Sequence, residues 1–236
     1  MLRKLSRRTM GTPPFKEGSF AMEQRLKGSK RRTTVAVAAG IALLLFAAVA
    51  LAGSSFKNGN FETGDFTKWT TAQSGAGNWF VSDKKLTPIN AFNWNGPAEK
   101  EFAAVTDQTS FSANVLYRTV QVGSKTSKIS MVLYYKNQAG VFCNPDTPTL
   151  DETLGECFQM YTVDILREGA DPFSIDPADI IKTVFRTSPS SPNSMSPKTF
   201  NVTLKKAGNV ILRFGEVDNQ YYFNASVDNV TVNNGG

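Results

Sequence analysis

Three stretches in which apolar and polar residues alternate constrain this chain most: 115–122 (VLYRTVQV), 129–136 (ISMVLYYK) and 159–167 (QMYTVDILR). Successive side chains of an extended strand point to opposite faces, so a run of period two has one face to bury. Leu116, Arg118, Val120 and Val122 share a face in the first stretch. Ile129, Met131, Leu133 and Tyr135 do so in the second, and Tyr161, Val163 and Ile165 in the third. Shorter β-prone runs at 78–82, 102–105, 199–204, 209–217 and 221–232, and a strand or short helix at 180–186, lie between segments rich in Gly, Pro, Asn and Ser. No window beyond residue 53 sustains a helical period. Short strands punctuated by turns predict an all-β chain folded as an antiparallel β-sandwich. Residues 53–236 suit one such domain with decorated loops, since no repeat or linker divides them.

The first fifth of the chain has a different character. Residues 1–52 carry ten basic and two acidic residues, which leaves 16 basic and 18 acidic residues, a net −2, for the remainder. The excess positive charge of the whole chain therefore belongs to its leader. Nucleic-acid binding is excluded as an expectation, because the folded part has no basic surplus to neutralise phosphates. Lys30-Arg31-Arg32 precedes 18 uninterrupted small and apolar residues, 35–52, ending in Ala50-Leu51-Ala52. A charged region, an apolar region and a small-x-small ending read as a secretory signal helix, cleaved after Ala52. The other reading is an uncleaved anchor, as 18 residues lie at the short end of what spans a bilayer. The start is Met1 or Met22. Residues 1–52 are thus expected to be leader and signal, and 53–236 a domain outside the cell or on its surface. Membrane contact would come only through an uncleaved leader.

Cys143 and Cys157 are the only cysteines, and both fall in the exported part. An even pair in an oxidising compartment predicts one disulfide, closing the polar loop NPDTPTLDETLGE. The chain has no His, no G-x-S-x-G elbow and no phosphate-binding glycine loop, so no catalytic constellation can be named.

Residues 56–69 (FKNGNFETGDFTKW) place an Asn-Gly turn before Phe61-Glu62, and Val227-Asp228-Asn229-Val230 recurs near the other end. With 164–166 (DIL), 171–174 (DPFS), 184–187 (VFRT) and 212–220 (LRFGEVDNQ), these segments resemble secreted bacterial jelly-roll modules of the galactose-binding-like, carbohydrate-binding class. The likeness covers most of 56–232. It implies a jelly-roll topology with the 56–62 segment, as a strand, beside 227–232, and with Phe61 and Trp69 in the core. It also implies a structural calcium ion held by Glu62 and Asp228, carboxylates being hard-cation ligands.

Aromatic planes stack on the C–H faces of sugar rings while Asn side chains bond hydroxyls. The loop 91–97 (AFNWNGP) combines both, so Phe92, Asn93, Trp94 and Asn95 are the expected ligand contacts. The same loop could instead plug one end of the sandwich, and the exposure of Trp94 separates the two. The implied role is a non-catalytic binding module for a polysaccharide or cell-surface glycan. The alternative is a structural surface or matrix protein with no small ligand. Asp164 and Arg213 each lie on the polar face of a strand, a pattern suited to a structural ion pair or to lining a shallow site.

Overall fold

A computed structural model describes residues 56–94, 96–98, 100–123 and 126–235. The expected signal helix and leader, residues 1–52, lie outside the described residues. Eight strands follow one another: β1 (Thr70–Ser82), β2 (Ala103–Val122), β3 (Ser127–Asn137), β4 (Gln159–Arg167), β5 (Ile180–Arg186), β6 (Ser194–Leu204), β7 (Gly208–Asp218) and β8 (Phe223–Asn234). All pairings are antiparallel, and the hydrogen-bonded order is β5-β4-β7-β2-β8-β3-β6 with β1 against β2.

Strand β2 belongs to both sheets. Its second half, from Ser112 to Val122, pairs with β7, whereas Ala104 and Val105 pair with β8. One sheet therefore reads β2-β7-β4-β5 and the other β2-β8-β3-β6. This is a jelly-roll arrangement of two sheets that share β2, with β1 lying along β2 through both. Between the sheets sit Leu116, Val120, Ile129, Met131, Leu133, Tyr161, Val163, Ile165, Leu212, Phe214, Val227 and Val230, all buried. The apolar faces of the three alternating stretches thus meet in one interior. Arg118 closes the edge of that face: its guanidinium lies 4.0 Å from the ring centroid of Phe56, a member of the same core, and donates to the Lys57 carbonyl (2.7 Å).

The outer faces are covered as well. Leu150, Phe158 and Ile175, from the loops flanking β4, pack on Ala113, Val115, Met160 and Val217. Trp94, from the loop between β1 and β2, packs on Ala103, Val105, Val132 and Tyr134. Asp164 lies under the first cover, where it bonds Arg213 at 2.5 Å and faces Arg186 at 3.6 Å. Thr162 and Thr183 hydroxyls supply its remaining bonds (2.7 and 2.6 Å). The pair is structural, as its residue types suggested.

Residues 56–69 form turns rather than the expected strand. Asn58 organises them with a positive φ of 55°. Its Nδ2 donates to the carbonyls of Asp65 and Thr67 (3.0 Å each), and its own carbonyl accepts from the Trp69 indole (2.8 Å). A side chain that satisfies the backbone locally competes with ladder pairing, which is why a strand does not form. Contact with the far end survives: Val230 N–H donates to the Gly59 carbonyl (2.7 Å), an approach that a side chain at Gly59 would block. Phe61 and Trp69 are buried and stacked at 5.5 Å.

Candidate functional site

The polar middle of β2 creates the most distinctive region. Ladder pairing of β2 breaks between Gln108 and Ser112, opposite an irregularity in β1 between Gly75 and Gly77. Gly75 adopts φ +76°, and a Cβ there would strike the Phe111 carbonyl. A residue able to take a positive φ is what permits this bulge. The kink turns Thr109, Ser110 and Phe111 outward, and Phe111 is 49% exposed.

Beside the kink lies the turn joining β7 to β8. Asn219 Nδ2 donates to the carbonyls of Leu154 and Glu156 (3.0 and 2.7 Å), and Asn219 Oδ1 accepts from Phe158 N–H (2.6 Å). Gln159 Nε2 donates to the Tyr221 carbonyl (2.8 Å), while Gln138 N–H donates to that of Tyr222 (3.0 Å). The turn is thereby clasped to the Cys143–Cys157 loop, whose disulfide is formed with its Cα atoms 5.8 Å apart. Held this way, Tyr221 stands 53% exposed, 4.8 Å from the ring of Tyr222, which in turn meets Phe92 at 5.2 Å. A cavity of about 170 Å³ opens among Thr109, Ser110, Phe111, Asp218, Gln220, Tyr221 and Tyr222.

A buried polar layer lies behind the cavity. Asp218 Oδ1 accepts from Ser112 N–H and Oγ–H (3.0 and 2.9 Å), and its Oδ2 accepts from Gln108 Nε2 (3.1 Å). Asn114 Nδ2 bridges Ser112 Oγ and Glu216 Oε2, each at 2.8 Å. Among the described residues only Asp164 forms salt bridges, so neither Glu216 nor Asp218 faces a cation within ion-pair distance. Burial pushes the Asp218 carboxyl up to about 7, partly offset by bonds from Ser112 and Gln108, with Glu152 adding repulsion. Burial, reinforced by Asp218, also raises Glu216 well above the usual carboxylate range.

The expected contacts in the loop before β2 divide. Phe92 joins the aromatic cluster. Asn93 is exposed, and its carbonyl accepts from Lys136 Nζ (3.0 Å). Trp94 corrects the expectation of a binding platform: it is 2% exposed and stacks on Tyr134 at 5.4 Å and 9°. Its indole N–H donates to the Lys84 carbonyl (2.7 Å). With one face on Tyr134 and its edge satisfied, it plugs the outer side of the sheet. Asn95 lies outside the described residues. Asp107 ties this loop down, accepting from the backbone N–H groups of Ile89 (2.5 Å) and Asn90 (2.9 Å).

Glu62 and Asp228 lie on segments brought together by the Gly59–Val230 bond. Glu62 Oε1 accepts from the backbone of Glu101 and Phe102 (3.3 and 3.2 Å), while Asp228 is fully buried and accepts from Asn229 N–H (2.6 Å). Among the described residues no three His, Cys, Asp or Glu side chains gather to hold a metal. Sequence reasoning missed Phe111, Asp218 and Gln220 as site residues. The available signal was an aromatic residue set among small polar ones (TSFSAN), where a buried strand would carry none exposed.

No family model matches the chain, and no curated protein does. Solved structures similar to it include the carbohydrate-binding module TmCBM61 in complex with β-1,4-galactotriose, at 13% identity and TM-score 0.44, covering 76% of this chain and 97% of that one. The K3 cleaved adhesin domain of Lys-gingipain from Porphyromonas gingivalis W83 is similar at 12% identity and TM-score 0.46, covering 75% and 97%. The enzymatically active domain of tailspike protein 4 of bacteriophage CBA120 is similar at 13% identity and TM-score 0.43, covering 76% of this chain and 21% of that one. The chain thus spans about a fifth of that tailspike domain. The strand order, rather than these likenesses, defines the fold.

Proposed function

We propose that residues 53–236 form an exported, non-catalytic binding module, acting outside the cell or on its surface, whose ligand is a glycan. The observation that carries this reading is the pair of exposed rings, Tyr221 and Phe111, on a polar-floored cavity, with half-buried Tyr222 and Phe92 packed behind Tyr221. Large exposed rings are costly to leave in water and need a use. A sugar ring supplies one, burying its C–H face on Tyr221 while its hydroxyls reach Ser110, Thr109, Gln220 and the Asp218 carboxyl. A glycan-array screen of the mature domain beside Tyr221→Ala tests this. The expected outcome is selective binding weakened about tenfold or more in the variant, roughly 1.4 kcal/mol for one lost ring contact. No binding to any glycan, together with self-association, would favour a structural surface protein instead.

A calcium ion between Glu62 and Asp228 enters the proposal only as a stabiliser of the two chain ends. Saturating calcium at about 100 times its dissociation constant would raise stability by roughly 2.7 kcal/mol, read as a shift in melting temperature reversed by chelator. An equal shift in a Glu62→Ala/Asp228→Ala double variant removes the site.

A further inference from the structure

We infer that the cavity between the β2 kink and the β7–β8 turn selects uncharged glycans and rejects those carrying uronate or sulfate groups. The inference rests on reading this end as a glycan site and adds the class of sugar. Its lining holds one acidic residue, Asp218, and no Lys or Arg. Behind the lining, Glu216 is joined to Asp218 through Asn114 and Ser112. Glu152, tied to Ser74 at 2.7 Å, adds repulsion at Asp218 from the disulfide loop. None of these three carboxyls makes a salt bridge; among the described residues Arg186 and Arg213 pair only with Asp164. Lys136 donates to the Asn93 carbonyl in the neighbouring loop and is not among the residues that line the cavity.

The electrostatic consequence follows from Coulomb's law in a partly enclosed site. At pH 8, where the Asp218 carboxyl is largely ionised, an anionic sugar seated against Tyr221 would meet its like charge through low-dielectric protein, where repulsion is several times stronger than in water. Glu216, pushed well above the usual carboxylate range, is not one of those charges. It would also find no guanidinium or ammonium to receive its carboxylate in a bidentate or point-charge contact. A neutral sugar meets the opposite situation. Asp218 is an acceptor for hydroxyl donors, and so is the Gln220 amide oxygen, whose Nε2 partner is spent on the Asn219 carbonyl and Oδ1 (3.0 and 2.9 Å). Specificity then comes from repulsion of the wrong ligand as much as from attraction of the right one.

The test is a titration of the intact domain at pH 8 with glucose, galactose and mannose trisaccharides beside trigalacturonate and triguluronate. At least one neutral trisaccharide is expected to bind about tenfold or more tightly than either uronate at low salt. Adding 0.5 M NaCl should narrow that ratio by screening the uronate repulsion. Asp218→Asn should narrow it too, and the salt arm keeps the test valid if that variant fails to fold. Uronates binding as tightly as neutral sugars, or a ratio indifferent to salt, would overturn the inference while leaving the glycan reading in place. Tight binding of neither class would overturn both.

Discussion

Asp218 accepts three hydrogen bonds, is almost wholly buried and faces no cation. Its carboxyl is held at about 7, so the folded state binds a proton that the unfolded chain releases near 4. The sign follows from linkage: stability from this group is fully present below about 4, declines as pH rises, and is gone above about 7. Glu216, raised by burial and by Asp218, adds in the same direction. The melting temperature of the wild type, compared with Asp218→Asn, should therefore fall between pH 4 and 7, a difference on the order of 4 kcal/mol across the window. A constant difference would show that Asp218 is ionised throughout. Single residues were unevenly legible in the sequence. The alternating apolar positions could be placed because periodicity reports burial, and Phe61 and Trp69 through the resemblance of their segment to jelly-roll modules. Trp94 could not, because a ring in an Asn-rich loop has the same local sequence whether it covers a sheet or faces water.

At the scale of elements, β2 shows where pattern reading stops. Residues 102–105 and 115–122 read as separate runs, yet they are one 20-residue strand. In its middle, Thr106, Asp107, Gln108, Ser112 and Asn114 are buried polar residues of a hydrogen-bonded layer and Thr109 to Phe111 turn outward at the kink, so hydrophobic alternation vanishes without the strand ending. Residues 194–197 (SMSP) close a Ser- and Pro-rich stretch and yet open β6, where an edge position tolerates Pro197. The disulfide loop has a clearer role than its composition suggests. It covers the outer face of the β2-β7-β4-β5 sheet through Leu150 and Phe158 and clasps the turn bearing Tyr221. Reduction should cost about 3 kcal/mol for a loop of this size. That corresponds to a fall of roughly 6–12 °C in melting temperature. An unchanged melting point after verified reduction would mean that the clasp alone holds the loop.

For the whole molecule, the jelly roll joins three distant segments at one end: the β2 kink, the β7–β8 turn and the loop carrying Phe92. The all-β sandwich could be inferred beforehand, because strand periodicity is local. The site could not, since its rings come from residues 92, 111, 221 and 222 and only the strand order makes them neighbours. The central claim is that this end, and not the plug beneath Trp94, contacts the ligand. Titrating one glycan into the wild type, Tyr221→Ala and Trp94→Phe tests it most directly. The account predicts an affinity loss of about tenfold or more in Tyr221→Ala and an unchanged affinity in Trp94→Phe. Loss confined to Trp94→Phe, with Tyr221→Ala binding like the wild type, would contradict it.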